Sequence, residues 1–213
     1  MLESAFELLG SQVTWLELLA FIGALGCVIL SVLEIHWGWL LAIVSSILYG
    51  FLFAASRLYG EAALQVFFVV VAAWGWWQWL FGRRSGQERI ASGQGLRVAW
   101  LSPAGRRGSV AAWLGGWLLL GMALKRYTDS DVPWFDAFPT AGSLVGQLLL
   151  ARKFIENWVI WTIVNLASVV LFAYKELWLT ALLYLLFAGL AVVGWQRWRR
   201  QAASLALAAR DGC

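Results

Sequence analysis

The chain alternates long apolar stretches with short polar ones. Most of the apolar stretches are about 20 residues long, which is the length that an α-helix needs to cross the hydrocarbon core of a bilayer. They predict seven transmembrane helices, at residues 13–33, 37–55, 62–81, 108–124, 134–151, 157–174 and 177–198. The fifth stretch is the most polar, so hydropathy alone is a weak basis for that helix.

The chain also repeats itself at an offset of 119 residues. Trp39 falls on Trp158 and Gly75 falls on Gly194, and 17 of the 67 residues aligned without a gap are identical. Shared glycines and tryptophans at fixed spacing indicate a duplicated unit. The fifth stretch is the counterpart of the strongly apolar first stretch, and the repeat therefore supports it as a helix.

The repeat predicts how the helices are organised. A second copy of three helices has the same orientation as the first only if one further helix lies between them, and residues 108–124 provide that helix. We therefore expect an all-α integral membrane protein in which two parallel three-helix repeats are joined by a linker helix. The parts of this single membrane domain, 1–213, are repeat 1 (13–79), a basic cytoplasmic loop with the linker helix (80–131), repeat 2 (132–198) and a cytoplasmic tail (199–213).

Composition agrees with a membrane protein. Hydrophobic residues make up 62% of the chain and charged residues only 13%. The mean hydropathy is +0.73. Ordinary soluble domains contain about 25% charged residues.

The basic residues predict the orientation, because cytoplasmic loops collect Lys and Arg. With seven spans, four of the 16 basic residues lie on the side of the amino terminus and 12 on the opposite side. We therefore expect the amino terminus outside the membrane and the carboxyl terminus on the cytoplasmic side. Because the arginines are dispersed over loops that flank the membrane, they are a poor match to a nucleic-acid surface.

Polar side chains follow one face of the fifth and of the sixth predicted helix. Spacings of three and four residues place each set on a single helical stripe. The members are Asp136, Thr140, Ser143 and Gln147 on the fifth helix, and Asn157, Trp161, Asn165 and Ser168 on the sixth. Such residues either form hydrogen bonds between packed helices or line the path of a substrate.

Two carboxylates occupy equivalent places in the repeats. Glu17 aligns with Asp136, and both are predicted about one turn inside the outer surface. In a purely structural interpretation, these carboxylates are solvated at the interface or paired with a nearby cation such as Lys125. In a functional interpretation, they form an acidic entrance that attracts cations or carries a proton.

Enzyme chemistry has little support in this chain. A membrane-embedded hydrolase needs a nucleophile and a base, whereas the one histidine, His36, lies at a helix boundary without a partner His or Cys. The two cysteines, Cys27 and Cys213, have no metal-binding spacing. We therefore expect no catalytic residues, no metal and no cofactor.

Several segments resemble the PnuC-type nicotinamide riboside transporter family. They are TDSDVPWFDA (128–137), ARKFIENWVIW (151–161), YKELWLTALLY (174–184) and GWQRW (194–198), with LYGEAALQ (58–65) and WGWWQW (74–79) in the first half. The resemblance covers about residues 13–198.

This resemblance implies a fold similar to the SWEET sugar carriers and a homotrimer. It also implies uptake of nicotinamide riboside, an NAD precursor, by facilitated diffusion with alternating access, followed by trapping through a cytoplasmic riboside kinase. Relatives that carry thiamine or riboflavin, and SWEET-type sugar carriers, leave other substrates open. The family motif implies binding roles for Gln65, Asn157, Trp158, Trp161 and Asn165, and weaker ones for Tyr49, Thr180 and Tyr184.

Overall fold

The computed structural model describes residues 4–8, 11–55, 59–82, 96–128, 131–174 and 178–211. Most of these residues are helical, and a short antiparallel hairpin precedes the first helix. The strands are β1 (Ser4–Leu8) and β2 (Ser11–Thr14), and the helices are α1 (Trp15–Val32), α2 (Trp37–Ala55), α3 (Tyr59–Phe81), α4 (Pro103–Tyr127), α5 (Pro133–Ala151), α6 (Glu156–Tyr174) and α7 (Trp178–Asp211).

All seven predicted helices are present. The bounds of α2 are those predicted, and α5 and α6 each begin one residue earlier than predicted. The fifth helix, which depended on the repeat because of its polar residues, is confirmed as α5.

The ends of four helices differ from the prediction by two residues or more, and one of them is α3, which starts at Tyr59, three residues earlier than predicted. Helix α7 was expected to end at Trp198, but it continues to Asp211, because the segment after the tryptophan consists of good helix formers without Gly or Pro. Helix α4 begins at Pro103, five residues before the predicted start, where the Ser102 side chain accepts a hydrogen bond from the Gly105 amide at 3.1 Å. Helix α1 starts two residues later than predicted, because β2 includes Thr14.

The chain forms two compact units, residues 1–96 and 97–213. In the first unit α1 packs against α2, and α2 packs against α3. In the second unit α4 packs against α5, α5 against α6, and α6 against α7. The helix between the sequence repeats is therefore part of the second unit.

The α1–α2 turn and the α5–α6 turn have the same backbone structure. Glu34 and Lys153, which correspond at the offset of 119 residues, are both left-handed, with φ of 58° and 51°. The next residue in each turn donates to the carbonyl five positions back, at 2.8 Å in the first turn and 3.0 Å in the second. This is the Schellman arrangement that ends many helices. The sequence repeat is therefore also a repeat of local structure.

The repeat extends to the packing of aromatic side chains. Trp39 and Trp79 form an edge-to-face pair with centroids 5.5 Å apart and an interplanar angle of 86°. Their counterparts, Trp158 and Trp198, form a pair at 5.3 Å and 86°. All four are buried, so this pair joins the second helix of each repeat to the third.

A glycine lies under the first tryptophan of each pair. A methyl group on Gly75 would lie 2.6–2.8 Å from ring atoms of Trp39, and one on Gly194 would lie 2.7–2.8 Å from ring atoms of Trp158. These distances are shorter than van der Waals contact. Glycine at these two positions therefore permits the close approach of the helices.

Helix α4 is fastened to α5 by two indole groups. Trp113 donates its Nε1 hydrogen to the Phe138 carbonyl at 3.0 Å, and Trp117 donates to the Trp134 carbonyl at 2.7 Å. Trp113 also belongs to an apolar core shared with α5 and α6. These contacts make α4, α5 and α6 one packed group.

Three of the described helical segments are long and apolar enough to cross a membrane: Pro103–Tyr127, Glu156–Tyr174 and Ala181–Leu205. Shorter apolar segments in the described residues are Ile22–Val32, Trp37–Phe51 and Gln65–Phe81.

Two glycines of α7 provide a matched test of this packing. Gly194→Ala should reduce the free energy of unfolding by about 1–3 kcal/mol, because its methyl group has no room beside the buried Trp158 ring. Gly189→Ala should be neutral or stabilising by up to about 1 kcal/mol, because that position is open and Ala favours helix. Thermal unfolding of the purified variants in detergent measures the difference, and equal stability of the two variants would contradict this packing.

Candidate functional site

Helix α6 exposes hydrocarbon and buries polar side chains. Asn165 and Ser168 are only 5% and 4% exposed, although the helix is otherwise strongly apolar. The exposed residues at helical spacing on another face are Val159, Ile163, Leu166 and Val170. This is the reverse of a helix on a soluble protein, and it is the arrangement expected in lipid.

Asn165 lies at the middle of α6, nine residues from each end of the helix. At 1.5 Å per residue it is about 13 Å from either end. Trp161 lies one turn before it and is half-buried. Phe172, further along the helix, contacts the Tyr184 ring of α7 at 5.0 Å between centroids. Indole, amide and hydroxyl side chains thus follow one another along α6, and Phe172 joins that helix to the phenol of Tyr184 on α7.

Helix α5 meets α6 at Trp161. A methyl group on Gly146 would lie 3.2 Å from Cε2 and 3.3 Å from Nε1 of the Trp161 ring, so the two helices are close at this level. Gln147, the last member of the α5 stripe, follows that glycine in the chain and is half-buried. The structure therefore places one residue of the α6 stripe, Trp161, against α5.

The two hydroxyls of α5 bond to their own helix. Thr140 donates to the Asp136 carbonyl at 2.9 Å, and Ser143 donates to the Pro139 carbonyl at 2.8 Å. A hydroxyl that donates to the preceding turn still has its oxygen lone pairs, so each remains an acceptor. Both side chains are half-buried.

Asn157 and Trp158 lie at the start of α6, two turns from Asn165. Asn157 is fully buried and donates its Nδ2 hydrogen to the Phe154 carbonyl at 2.6 Å, while its Oδ1 has no hydrogen-bond partner among the described residues. Trp158 is packed on α7, and its Nε1 likewise has no partner in the described part of the chain. These two residues hold the α5–α6 turn and are remote from the middle of the helix.

In the first unit, Tyr49 and Gln65 lie at the α2–α3 contact. A methyl group on Gly50 would lie 3.5 Å from Gln65 Cβ, so glycine and glutamine face each other directly. Tyr49 precedes that glycine, and both Tyr49 and Gln65 are half-buried.

The remaining predicted residues lie near helix starts or on α7. Asp136 is half-buried in the first turn of α5. Tyr184 contacts Phe187 as well as Phe172, at 6.0 Å between centroids. The side chains of Glu17 and Thr180 lie outside the described residues.

The residues at these positions carry hydrogen-bonding and aromatic groups. Within the described residues no three His, Cys, Asp or Glu side chains are grouped to hold a metal ion. Sequence reasoning missed Glu156, whose carboxylate binds the segment before α4. A carboxylate at the first position of a helix was the available signal.

The profile of the family described as "Nicotinamide mononucleotide transporter" matches residues 14–200. The chain belongs to this family. The resemblance noted in the sequence is thereby confirmed, and the chain is a membrane transporter and not an enzyme.

Two relatives in the family match along most of their length. The chain is 26% identical to the nicotinamide riboside transporter PnuC of Escherichia coli (strain K12), over 89% of this chain and 87% of the relative. It is 27% identical to the riboflavin/roseoflavin transporter RibM of Streptomyces davaonensis, over 91% of this chain and 89% of the relative.

A solved structure, the crystal structure of the vitamin B3 transporter PnuC, has the same fold. The TM-score is 0.68 at 22% identity, and the match covers 89% of this chain and 83% of the other. At this identity the match concerns the fold.

The position of Asn157 generates a prediction on stability. Asn157→Ala should lower the free energy of unfolding by about 1–3 kcal/mol, because a buried hydrogen bond to the turn is lost. Ser204→Ala removes an exposed hydroxyl that donates to the Gln201 carbonyl, and it should change stability little. Thermal unfolding in detergent compares the two variants. If both unfold at the temperature of the parent, Asn157 does not have this structural role.

Proposed function

We propose that this transporter carries nicotinamide riboside. The observation that carries the proposal is the burial of Asn165 and Ser168 at the middle of an apolar helix, one and two turns along that helix from Trp161. Nicotinamide riboside is a pyridinium cation joined to ribose. Amide and hydroxyl groups suit the ribose, and an indole face suits the cationic ring. The E. coli relative of that name, aligned over most of both chains, supports the same substrate.

Riboflavin is the second candidate. The relative from Streptomyces davaonensis is named for riboflavin and roseoflavin and is as similar to this chain as the E. coli protein. Riboflavin also combines a flat ring with a chain of hydroxyls, but it carries no positive charge. Charge on the ring therefore distinguishes the two candidates.

The depth of the residues along their helices separates two groups. Transporter sites lie near the bilayer midplane, between the ends of the helices. In this proposal the substrate contacts are Trp161, Asn165, Thr140, Ser143, Gln147 and Tyr184 in the second repeat, with Gln65 and Tyr49 in the first. Thr180, the third residue of α7, is a contact on the family motif alone and not on depth. Asn157 and Trp158, at the start of α6, act by holding that part of the helix in place.

The transport cycle in this proposal is facilitated diffusion with alternating access, and a cytoplasmic riboside kinase traps the product. The proposed architecture is SWEET-like, with two parallel three-helix repeats joined by α4. The matched turns and Trp–Gly contacts at the same offset support it. The proposed assembly is a homotrimer in the bacterial inner membrane, with the amino terminus outside, and the distribution of basic residues supports that orientation.

Calorimetry on the purified transporter tests the substrate. We expect nicotinamide riboside to bind and glucose not to bind, with thiamine and riboflavin as competing candidates. Trp161→Ala should weaken binding about tenfold or more, because the cationic ring loses its aromatic partner. Trp77→Ala is the matched control, since that tryptophan is exposed on α3.

Three outcomes would contradict the proposal. Binding of riboflavin in preference to the riboside would establish the second candidate. Binding of glucose alone would indicate a sugar carrier. Equal affinities of the Trp161 and Trp77 variants would remove Trp161 from the site.

The entrance carboxylates give a separate prediction. Glu17→Gln and Asp136→Asn should each slow uptake of the cationic substrate into proteoliposomes, because each removes a negative charge near the proposed outer surface. High salt should reduce the difference between variants and parent, since salt screens exposed charges. Initial rates at low and high ionic strength measure this effect. Uptake equal to that of the parent at every ionic strength and pH would exclude both residues from the entry path.

A further inference from the structure

A short extended segment before α4 is bound to the α5–α6 turn. This strap, residues 98–102, pairs with the turn through the backbone of Ala99. The Ala99 amide donates to the Lys153 carbonyl at 3.1 Å, and the Ile155 amide donates to the Ala99 carbonyl at 3.1 Å. Val98 in the strap and Ile155 in the turn are buried.

Glu156, the first residue of α6, makes further polar contacts. Its two carboxylate oxygens accept hydrogen bonds from the Leu101 amide at 3.1 and 3.0 Å. Oε1 also accepts from Arg106 Nε of α4 at 2.8 Å, and the Glu156 side chain is only 15% exposed. One carboxylate thus joins the strap, the first turn of α4 and the start of α6.

The equivalent turn of the first repeat is fastened differently. Trp37 stands at the place of Glu156, and its ring lies 5.1 Å from His36 and 5.9 Å from Trp76 of α3. Trp76 donates its Nε1 hydrogen to His36 Nδ1 at 3.3 Å. The backbone of the turn is duplicated, whereas the side chains that fasten it have diverged.

We propose that Glu156 is a positioning residue for transport, holding the start of α6 through the strap so that the polar stripe keeps its place against α5. Asn165 is about 13 Å along the same helix, and a continuous helix transmits a shift of its end over that distance. The transport part of this inference rests on the proposed function. The structural part concerns the strap alone.

Thiol labelling in detergent tests the structural part without a substrate. Val98→Cys places a thiol at a buried strap position, and the parent without it corrects for Cys27 and Cys213. Adding Glu156→Gln should speed maleimide labelling at residue 98 about tenfold, the order expected for the loss of a charge-assisted hydrogen bond. Trypsin cleavage after Arg97, measured by mass spectrometry, compares Glu156→Gln with the parent when neither carries Val98→Cys. Cleavage should be faster in Glu156→Gln.

Uptake kinetics test the positioning role. Glu156→Gln should raise KM about threefold or more with little change in the maximal rate, because apparent affinity falls with the fraction of molecules that are competent to bind. Misfolded molecules would lower the maximal rate and leave KM unchanged. Arg107→Gln is the matched control for the Arg106 variant described next, since it removes a positive charge one residue away from Arg106.

The ion pair gives an internal check. Arg106→Gln should have a smaller effect than Glu156→Gln, because the Leu101 amide then keeps a charged acceptor, whereas Glu156→Gln leaves it a neutral amide oxygen. The double variant should be no worse than Glu156→Gln alone, as expected for partners in one contact.

The proposal is overturned if Glu156→Gln leaves labelling and cleavage at the rates of the parent, or if it frees the strap without changing KM. If the parent does not take up nicotinamide riboside, the proposed substrate is wrong. The same variants are then compared on whichever ligand of the calorimetric panel binds.

Discussion

Hydrocarbon surroundings decide which side chains this protein buries. Helix α6 exposes Val, Ile and Leu and buries asparagine and serine, because lipid dissolves the former and cannot hydrogen-bond the latter. A polar group in that setting costs several kcal/mol unless it finds a partner. Thr140, Ser143 and Asn157 find theirs in nearby backbone carbonyls. Buried polar side chains at the middle of a span are consequently the part of the fold that suits a polar solute.

The internal repeat made most of the fold predictable. Helix α5 contains too many polar residues to be predicted from hydropathy alone. Its counterpart in the first repeat is strongly apolar and predicted a helix here, and α5 is present. Four features were missed for local reasons. The continuation of α7 depends on helix formers beyond Trp198, whereas the prediction ended the helix with the apolar stretch. The start of α4 is marked by Ser102 and Pro103, a capping signal that hydropathy does not weigh. The hairpin and the strap depend on backbone pairing, which periodicity does not report.

The two repeats share their packing and differ in their polar chemistry. Trp39 and Trp158, with their glycines, make the same contact in both units, because a methyl group on either glycine has no room. At the polar positions Ser46 is replaced by Asn165 and Gln65 by Tyr184. A tightly packed position keeps the same residue in both repeats, because neighbours surround its side chain. A position that faces a solute can differ between the repeats, because the solute determines which side chain suits it. An asymmetric substrate, with a ring at one end and a sugar at the other, is consistent with this divergence.

The motif that marks the family in this sequence contains residues of two kinds. In the run from residue 151 to 161, Asn157 and Trp158 pack the α5–α6 turn, while Trp161 faces α5 one turn deeper. A motif cannot separate them, because three residues along a helix change both depth and neighbours. Glu156 belongs to the first kind. Its carboxylate joins three elements at the point where α6 begins, so a short run of residues both anchors the helix and directs its polar face.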